Sequence, residues 1–158
     1  MYPRKLLTGL MEHLYEKQIT VITGMRRVGK TTLLKMLMEK VQTANKAYFD
    51  LERIENRLLF SQQNYKEIEN GFSAMGLNLS DKMYVFIDEI QLVPGITSVL
   101  KVFYDDFNIK FVVTGSSSFY LKNHFSESLA GRKKIFELYP LTFNEFLDFQ
   151  GFEKNFIV

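Results

Sequence analysis

This chain predicts an α/β fold in which a parallel sheet lies between helices on both faces. Three observations carry that expectation. Five short apolar or β-branched runs alternate with helical patterns along the sequence. One run, residues 83–87, is almost wholly apolar, as a central parallel strand covered on both sides must be. Polar and acidic residues gather where three of the runs end, and in open parallel sheets ligands bind at the carboxyl ends of strands.

The elements follow in order. Residues 18–23, Gln-Ile-Thr-Val-Ile-Thr, read as a strand that stops at Gly24. A helix is expected over residues 29–42, because Leu33, Leu34, Leu37, Met38 and Val41 share one helical face. Residues 46–51 form the second strand. Residues 52–70 are charged and weakly periodic and read as partly helical, and residues 71–80 read as a loop. The third strand ends in Asp88-Glu89, and Pro94-Gly95 marks a turn. Beyond it Ile96, Val99, Leu100, Phe103 and Phe107 line one side of a helix. The fourth strand, 109–114, ends in Gly115 and three serines, and a short helix and loop lead to Gly131-Arg132. The fifth strand, 134–138, is stopped by Pro140. Thr142 then opens a last helix, with Glu145 at the capping-box position. Such βα alternation implies right-handed crossovers. Phe125, Phe136, Phe143, Phe146 and Phe149 are expected in the core rather than as a base-stacking platform.

Composition narrows the chemistry. The 158 residues suit one domain, and 46% hydrophobic with 24% charged residues argues against disorder. No cysteine is present, which excludes disulfides, thiolate nucleophiles and cysteine-based metal sites and fits a reducing cytoplasm. No apolar run is long enough to span a bilayer, so a membrane partner is not expected. His13 and His124 are isolated and do not suggest zinc. A net charge of only +2 gives no push toward nucleic acid.

The most informative segment is Gly24-Met-Arg-Arg-Val-Gly29-Lys30-Thr31, which fills every position of the phosphate-binding loop pattern, strand before and helix after. Glycines let the chain approach phosphate closely. Successive N–H groups make an anion-binding concavity, to which the helix N-terminus adds its partial positive charge. Lys30 supplies a cation for the β- and γ-phosphates, and Thr31 a hydroxyl for Mg²⁺. Candidate nucleotide contacts are therefore Gly24, Arg26, Arg27, Val28, Gly29, Lys30, Thr31 and Thr32. Two readings stay open for Arg26 and Arg27: contact with phosphate or a neighbouring subunit, or a solvated pair.

Asp88 and Glu89, directly after the apolar strand, complete a Walker B arrangement. Asp88 would hold Mg²⁺ through water. Glu89 would orient and deprotonate an attacking water. That second acid favours hydrolysis over transfer to another substrate, and Gln91 is a candidate for positioning the water. Thr114 and Ser116 end the fourth strand, where either could reach the γ-phosphate or lytic water. The alternative for Ser116 or Ser117 is capping of the next helix. Arg132 is either an arginine finger or part of a surface cluster with Lys133 and Lys134.

Taken together, Gly24–Leu34, Tyr48-Phe-Asp-Leu51, Phe86-Ile-Asp-Glu-Ile-Gln91, Thr114-Gly-Ser-Ser-Ser118, Leu129-Ala-Gly-Arg132 and Leu138-Tyr-Pro-Leu-Thr-Phe143 make the chain resemble AAA+-like P-loop ATPases of bacteria and archaea. The resemblance implies a P-loop NTPase three-layer α/β/α sandwich with a five-stranded parallel sheet in the order 5-1-4-3-2. It implies ATP with Mg²⁺, a sensor at Thr114 or Ser116, and Arg132 as the arginine that reads the γ-phosphate. If Arg132 acts across an interface, the partner is a second copy. Relatives usually continue into helical, winged-helix or nuclease-like regions, through which any DNA contact would run. Residues 1–158 are thus expected to be one ATPase domain of a longer protein, the segment 151–158 offering no closing element. The absence of an Asn-Lys-x-Asp motif tilts the base toward adenine, which is expected near residues 2–4 and Pro140. Three functions are compatible: an ATPase switch, a module holding ATP or ADP without turnover, and nucleic-acid engagement through Arg26, Arg27 and residues 132–134.

Overall fold

Alternating side-chain direction along each strand sorts the core into two layers. In β3 (Met83–Asp88), Met83, Val85 and Ile87 face one side and Tyr84 and Phe86 the other, and all are buried. The same division runs through β1 (Ile19–Thr23) and β4 (Ile109–Gly115), both buried along their whole length. The computed structural model describes residues 5–116 and 127–150. With β2 (Lys46–Asp50) and β5 (Lys133–Glu137) these strands form a single parallel sheet in the order β2-β3-β4-β1-β5. Read from the other edge, this is the succession 5-1-4-3-2.

Helices α1 (Lys5–His13) and α2 (Lys30–Lys40) cover one face, through Leu7, Leu10, Leu33, Leu34 and Leu37. The other face carries α3 (Ile54–Phe60), α4 (Tyr65–Ala74) and α5 (Ile96–Asp106). Its centre is aromatic: Phe72 lies 5.7 Å from Phe49 and 5.8 Å from Phe103, ring centroid to ring centroid, with tilted or edge-on geometry.

Two sequence expectations need correction, and one element is new. The segment before β1, for which no element was expected, holds α1, and Leu7, Leu10 and Leu14 recur there at helical spacing and are buried. The charged stretch 52–70 is partly helical, as expected, its helical parts being α3 and the start of α4. The loop expected from Gly71 starts later, because Gly71 lies inside α4. A Cβ there would stand 2.5 Å from a Leu59 methyl, so glycine serves the close approach of α3 and α4 instead of breaking a helix. Finally, Phe136 is packed against the core, but Phe143 and Phe146 are 66% and 45% exposed. They belong to α6 (Phe143–Gln150), which follows an edge strand and so has less of the fold around it. Its expected capping box is formed: Thr142 N donates to the Glu145 carboxylate at 2.9 Å, and Glu145 N to Thr142 Oγ1 at 3.3 Å. Residues 2–4, Ser117, His124, Phe125, the side chain of Phe149 and the segment 151–158 lie outside the described residues.

Candidate nucleotide site

The phosphate loop joins β1 to α2 and is held close to the end of β5. Leu138 N donates to Thr23 O at 2.7 Å, and a Cβ on Gly24 would stand 2.3 Å from Leu138 O, so only glycine fits. Gly24, Arg27 and Gly29 all have positive φ, at 152°, 65° and 96°. Arg27 has a Cβ, so the loop carries local backbone strain, a condition found where surrounding structure fixes a site. Lys30, the first residue of α2, is buried, and its ammonium donates to Gly24 O at 3.0 Å and Met25 O at 2.7 Å. Burial holds it below the ordinary lysine range, while Glu89 and Asp88 pull in the opposite direction.

Asp88, at the end of β3, is the hub. Its side chain is buried, and three hydroxyls from three elements converge on it. Thr31 on α2 donates to Oδ2 at 2.6 Å, Tyr48 on β2 to the same oxygen at 3.2 Å, and Thr114 on β4 to Oδ1. Burial first, and then Asp88, raise the Tyr48 phenol above its ordinary range, which keeps it a donor. Thr114 also accepts from Glu89 N at 3.1 Å, so it braces the acidic strand end from behind. Thr31 hydroxyl beside a carboxylate is a hard-oxygen donor set that suits Mg²⁺, which takes one or two carboxylates and completes its shell with water and phosphate. Among the described residues no cluster of three or more His, Cys, Asp or Glu could hold a metal by itself.

Glu89 has left-handed backbone, φ 59° and ψ 50°. Its Oε2 accepts from the Gln91 amide and from Ser116 Oγ at 3.0 Å, and Gln91 donates to Ser116 Oγ at 2.8 Å. This closed ring of three polar side chains fixes the carboxylate toward a cleft of about 440 Å³, lined by Arg26, Arg27, Gly29, Lys30, Thr31, Glu52, Glu89, Gln91, Leu92 and Ser116.

Most of the sequence-derived candidates therefore come together, but not all. Arg26, Arg27, Gly29, Lys30, Thr31, Glu89 and Ser116 line the cleft, and Asp88 and Thr114 stand directly behind it. Gly24 packs against Leu138, Val28 against the core, and Thr32 is exposed on the first turn of α2. Arg132 is not brought to the cleft of its own chain. Its carbonyl accepts from Ile19 N at the opposite end of β1, about 16 Å from the phosphate loop at ~3.3 Å per residue. There it holds Asp105 through two bonds, 2.9 and 3.1 Å. Tyr48 is the residue that sequence reasoning missed. It lies 40 positions before Asp88, and only the parallel pairing of Asp50 with Asp88 brings it near.

A family model described as an AAA domain matches residues 16–147. This chain belongs to that AAA domain family. The matched span includes every sheet strand and each cleft residue. An uncharacterised protein of Haemophilus influenzae is 31% identical over 134 residues, covering 82% of this chain and 33% of that protein. A second, from Methanocaldococcus jannaschii, is 33% identical over 140 residues, covering 84% and 28%. The AAA domain described here thus spans about a third of the length of the curated relatives it matches. Among solved structures, Caenorhabditis elegans PCH-2 has a TM-score of 0.59 at 14% identity, over 90% of this chain and 45% of that one. Domain III of the Thermotoga maritima replication initiation protein DnaA has a TM-score of 0.59 at 18% identity, over 93% and 69%. Both likenesses are of fold. Family and fold together make this AAA domain a nucleotide-binding, ATPase-like P-loop domain. Among its described residues no helix is long and apolar enough to cross a membrane.

Proposed function

We propose that this AAA domain binds ATP with Mg²⁺ in the cleft between the phosphate loop and the end of β3, and hydrolyses it. The observation that carries the reading is the convergence of hydroxyls from three separate elements, those of Thr31, Tyr48 and Thr114, on the Asp88 carboxylate beside Lys30. Lys30 would exchange the carbonyls of Gly24 and Met25 for phosphate oxygens. Thr31 and Asp88 would hold Mg²⁺, which when bound neutralises charge on the β- and γ-phosphates. Glu89, oriented by Gln91 and Ser116, would accept a proton from the attacking water. Binding orders the loops and hydrolysis releases them, which makes the domain a switch.

The position of Arg132 supports a role between copies. On the far end of the sheet, 30% exposed and paired to Asp105, it can meet a γ-phosphate only in a neighbour's cleft. A competing reading, in which the span holds ATP or ADP without turnover, draws on that separation. Titration with labelled ATP and GTP, with and without Mg²⁺, tests binding, and we expect saturable ATP uptake that Mg²⁺ strengthens. Phosphate release measured at several protein concentrations separates the two readings. A specific rate rising with concentration supports Arg132 acting across an interface, and no release at any concentration leaves only the binding module. A DNA partner, engaged through regions beyond this span, has no support in the cleft geometry.

A further inference from the structure

We propose that Tyr48 is a positioning residue of the metal site: its hydroxyl fixes the plane of the Asp88 carboxylate, so that Mg²⁺ meets a preset ligand. The inference rests on the Mg²⁺–nucleotide reading above and assigns a task to a residue outside the phosphate loop and the acidic strand end.

Tyr48 lies on β2, the edge strand, paired with Phe86 of β3, and from there its side chain reaches two residues along β3 to Asp88. The ring is held from the α2 side by Lys35, whose ammonium stands 5.4 Å from the ring centroid. Thr31 and Tyr48 both donate to Oδ2, and Thr114 donates to Oδ1. Donors on both oxygens remove rotation about the terminal side-chain torsion, which is otherwise broad for Asp. The three hydroxyls are not equivalent. Thr31 is itself a candidate metal ligand, and Thr114 also accepts from Glu89 N, so each has a second task that would change when metal and nucleotide bind. Tyr48 comes from the sheet edge, outside the cleft lining, and can keep its bond to Asp88 throughout. Partners that hydrogen-bond a metal-ligating carboxylate orient it, and losing one typically costs 10- to 100-fold in metal affinity.

Tyr48→Phe keeps the ring and its packing and removes only the hydroxyl. A fluorescent ATP analogue is titrated onto wild type and Tyr48→Phe in EDTA, and again at fixed analogue with increasing Mg²⁺. We expect affinities in EDTA within about twofold, because the loop and Lys30 are untouched, and a roughly tenfold higher Mg²⁺ concentration for half-maximal enhancement in the variant. Superimposable Mg²⁺ titrations overturn the proposal. Equal losses in EDTA and in Mg²⁺ also overturn it, since they would give Tyr48 a role in the fold alone. The wild-type arm reports separately on the underlying reading: absence of nucleotide uptake by folded wild type removes the Mg²⁺–nucleotide site itself.

Discussion

The two ends of the sheet each bury a set of polar groups, and they do so in opposite ways. At the carboxyl end the buried charge is Asp88, met by three hydroxyls and standing behind an open cleft. At the amino end it is Lys110 of β4, only 2% exposed, whose ammonium donates to Gln18 O and lies 3.5 Å from His13 Nδ1. His13 in turn is 2.7 Å from Thr20 Oγ1, while its Nε2 is buried without a partner among the described residues. Among the described residues no carboxylate hydrogen-bonds this lysine, and burial lowers its pKa to about 7. One end satisfies its charge and combines it with strained backbone at Arg27 and Glu89; the other leaves its charge weakly compensated, with no strained residue. The contrast is one of compensation and backbone: strain accompanies the satisfied carboxylate, and the perturbed lysine lies on relaxed strand.

Four measurements break or sharpen that contrast. The largest effect is expected from Glu89→Gln, which should keep nucleotide affinity and lower turnover by about 10²- to 10⁴-fold, the usual contribution of a positioned base, as read by phosphate release. Unchanged turnover would remove Glu89 from the chemistry. Next, Lys30→Ala should weaken ATP binding by about 10- to 100-fold in calorimetry, the worth of a charge-assisted hydrogen bond. An affinity equal to wild type would mean that the loop amides alone capture phosphate.

The third measurement moves to the amino end. The unfolded chain keeps a proton on Lys110 up to the ordinary value of 10.5, whereas the folded chain releases it near 7. Between those values the unfolded state binds more protons, so stability rises with pH, by at most about 1.4 kcal/mol per unit. Below pH 7 the full penalty remains. Lys110→Met should therefore be more stable than wild type at pH 6 to 7 and lose that advantage as pH approaches 10. Denaturant melts across this range check it, and parallel curves would place the lysine's titration elsewhere. Smallest of all, Arg132→Ala should leave the melting temperature nearly unchanged, because its pair with Asp105 is exposed. Any loss of activity in that variant should appear only at concentrations where copies meet.

How much of this was legible beforehand follows from sequence separation. The loop from Gly24 to Thr31 and the pair Asp88-Glu89 could be read directly, because neighbours in the chain are neighbours in space and each element supplies its own geometry. The apolar run 83–87 foretold a central strand for the same reason. Thr114 was found at the right strand end but with its partner unknown: it faces Asp88, and that depends on the β3–β4 register. Tyr48 required the β2–β3 register, which no local pattern specifies. Arg132 follows a glycine and precedes a strand, as expected, yet a parallel strand's start lies at the end opposite to its ligand site. Helix α1 was legible too, since Leu7, Leu10 and Leu14 carry the helical period. Gly71 was misread because a glycine that admits a neighbouring helix looks, in sequence, like one that ends its own.

The left-handed backbone at Glu89 has a consequence for engineering. Glycine adopts that conformation freely, and a glutamate there costs about 1 kcal/mol or more. A library selected for thermal resistance alone would be drawn to Glu89→Gly and would erase the acid facing the cleft. On the role proposed for Glu89, heat tolerance gained at this position should arrive together with lost turnover.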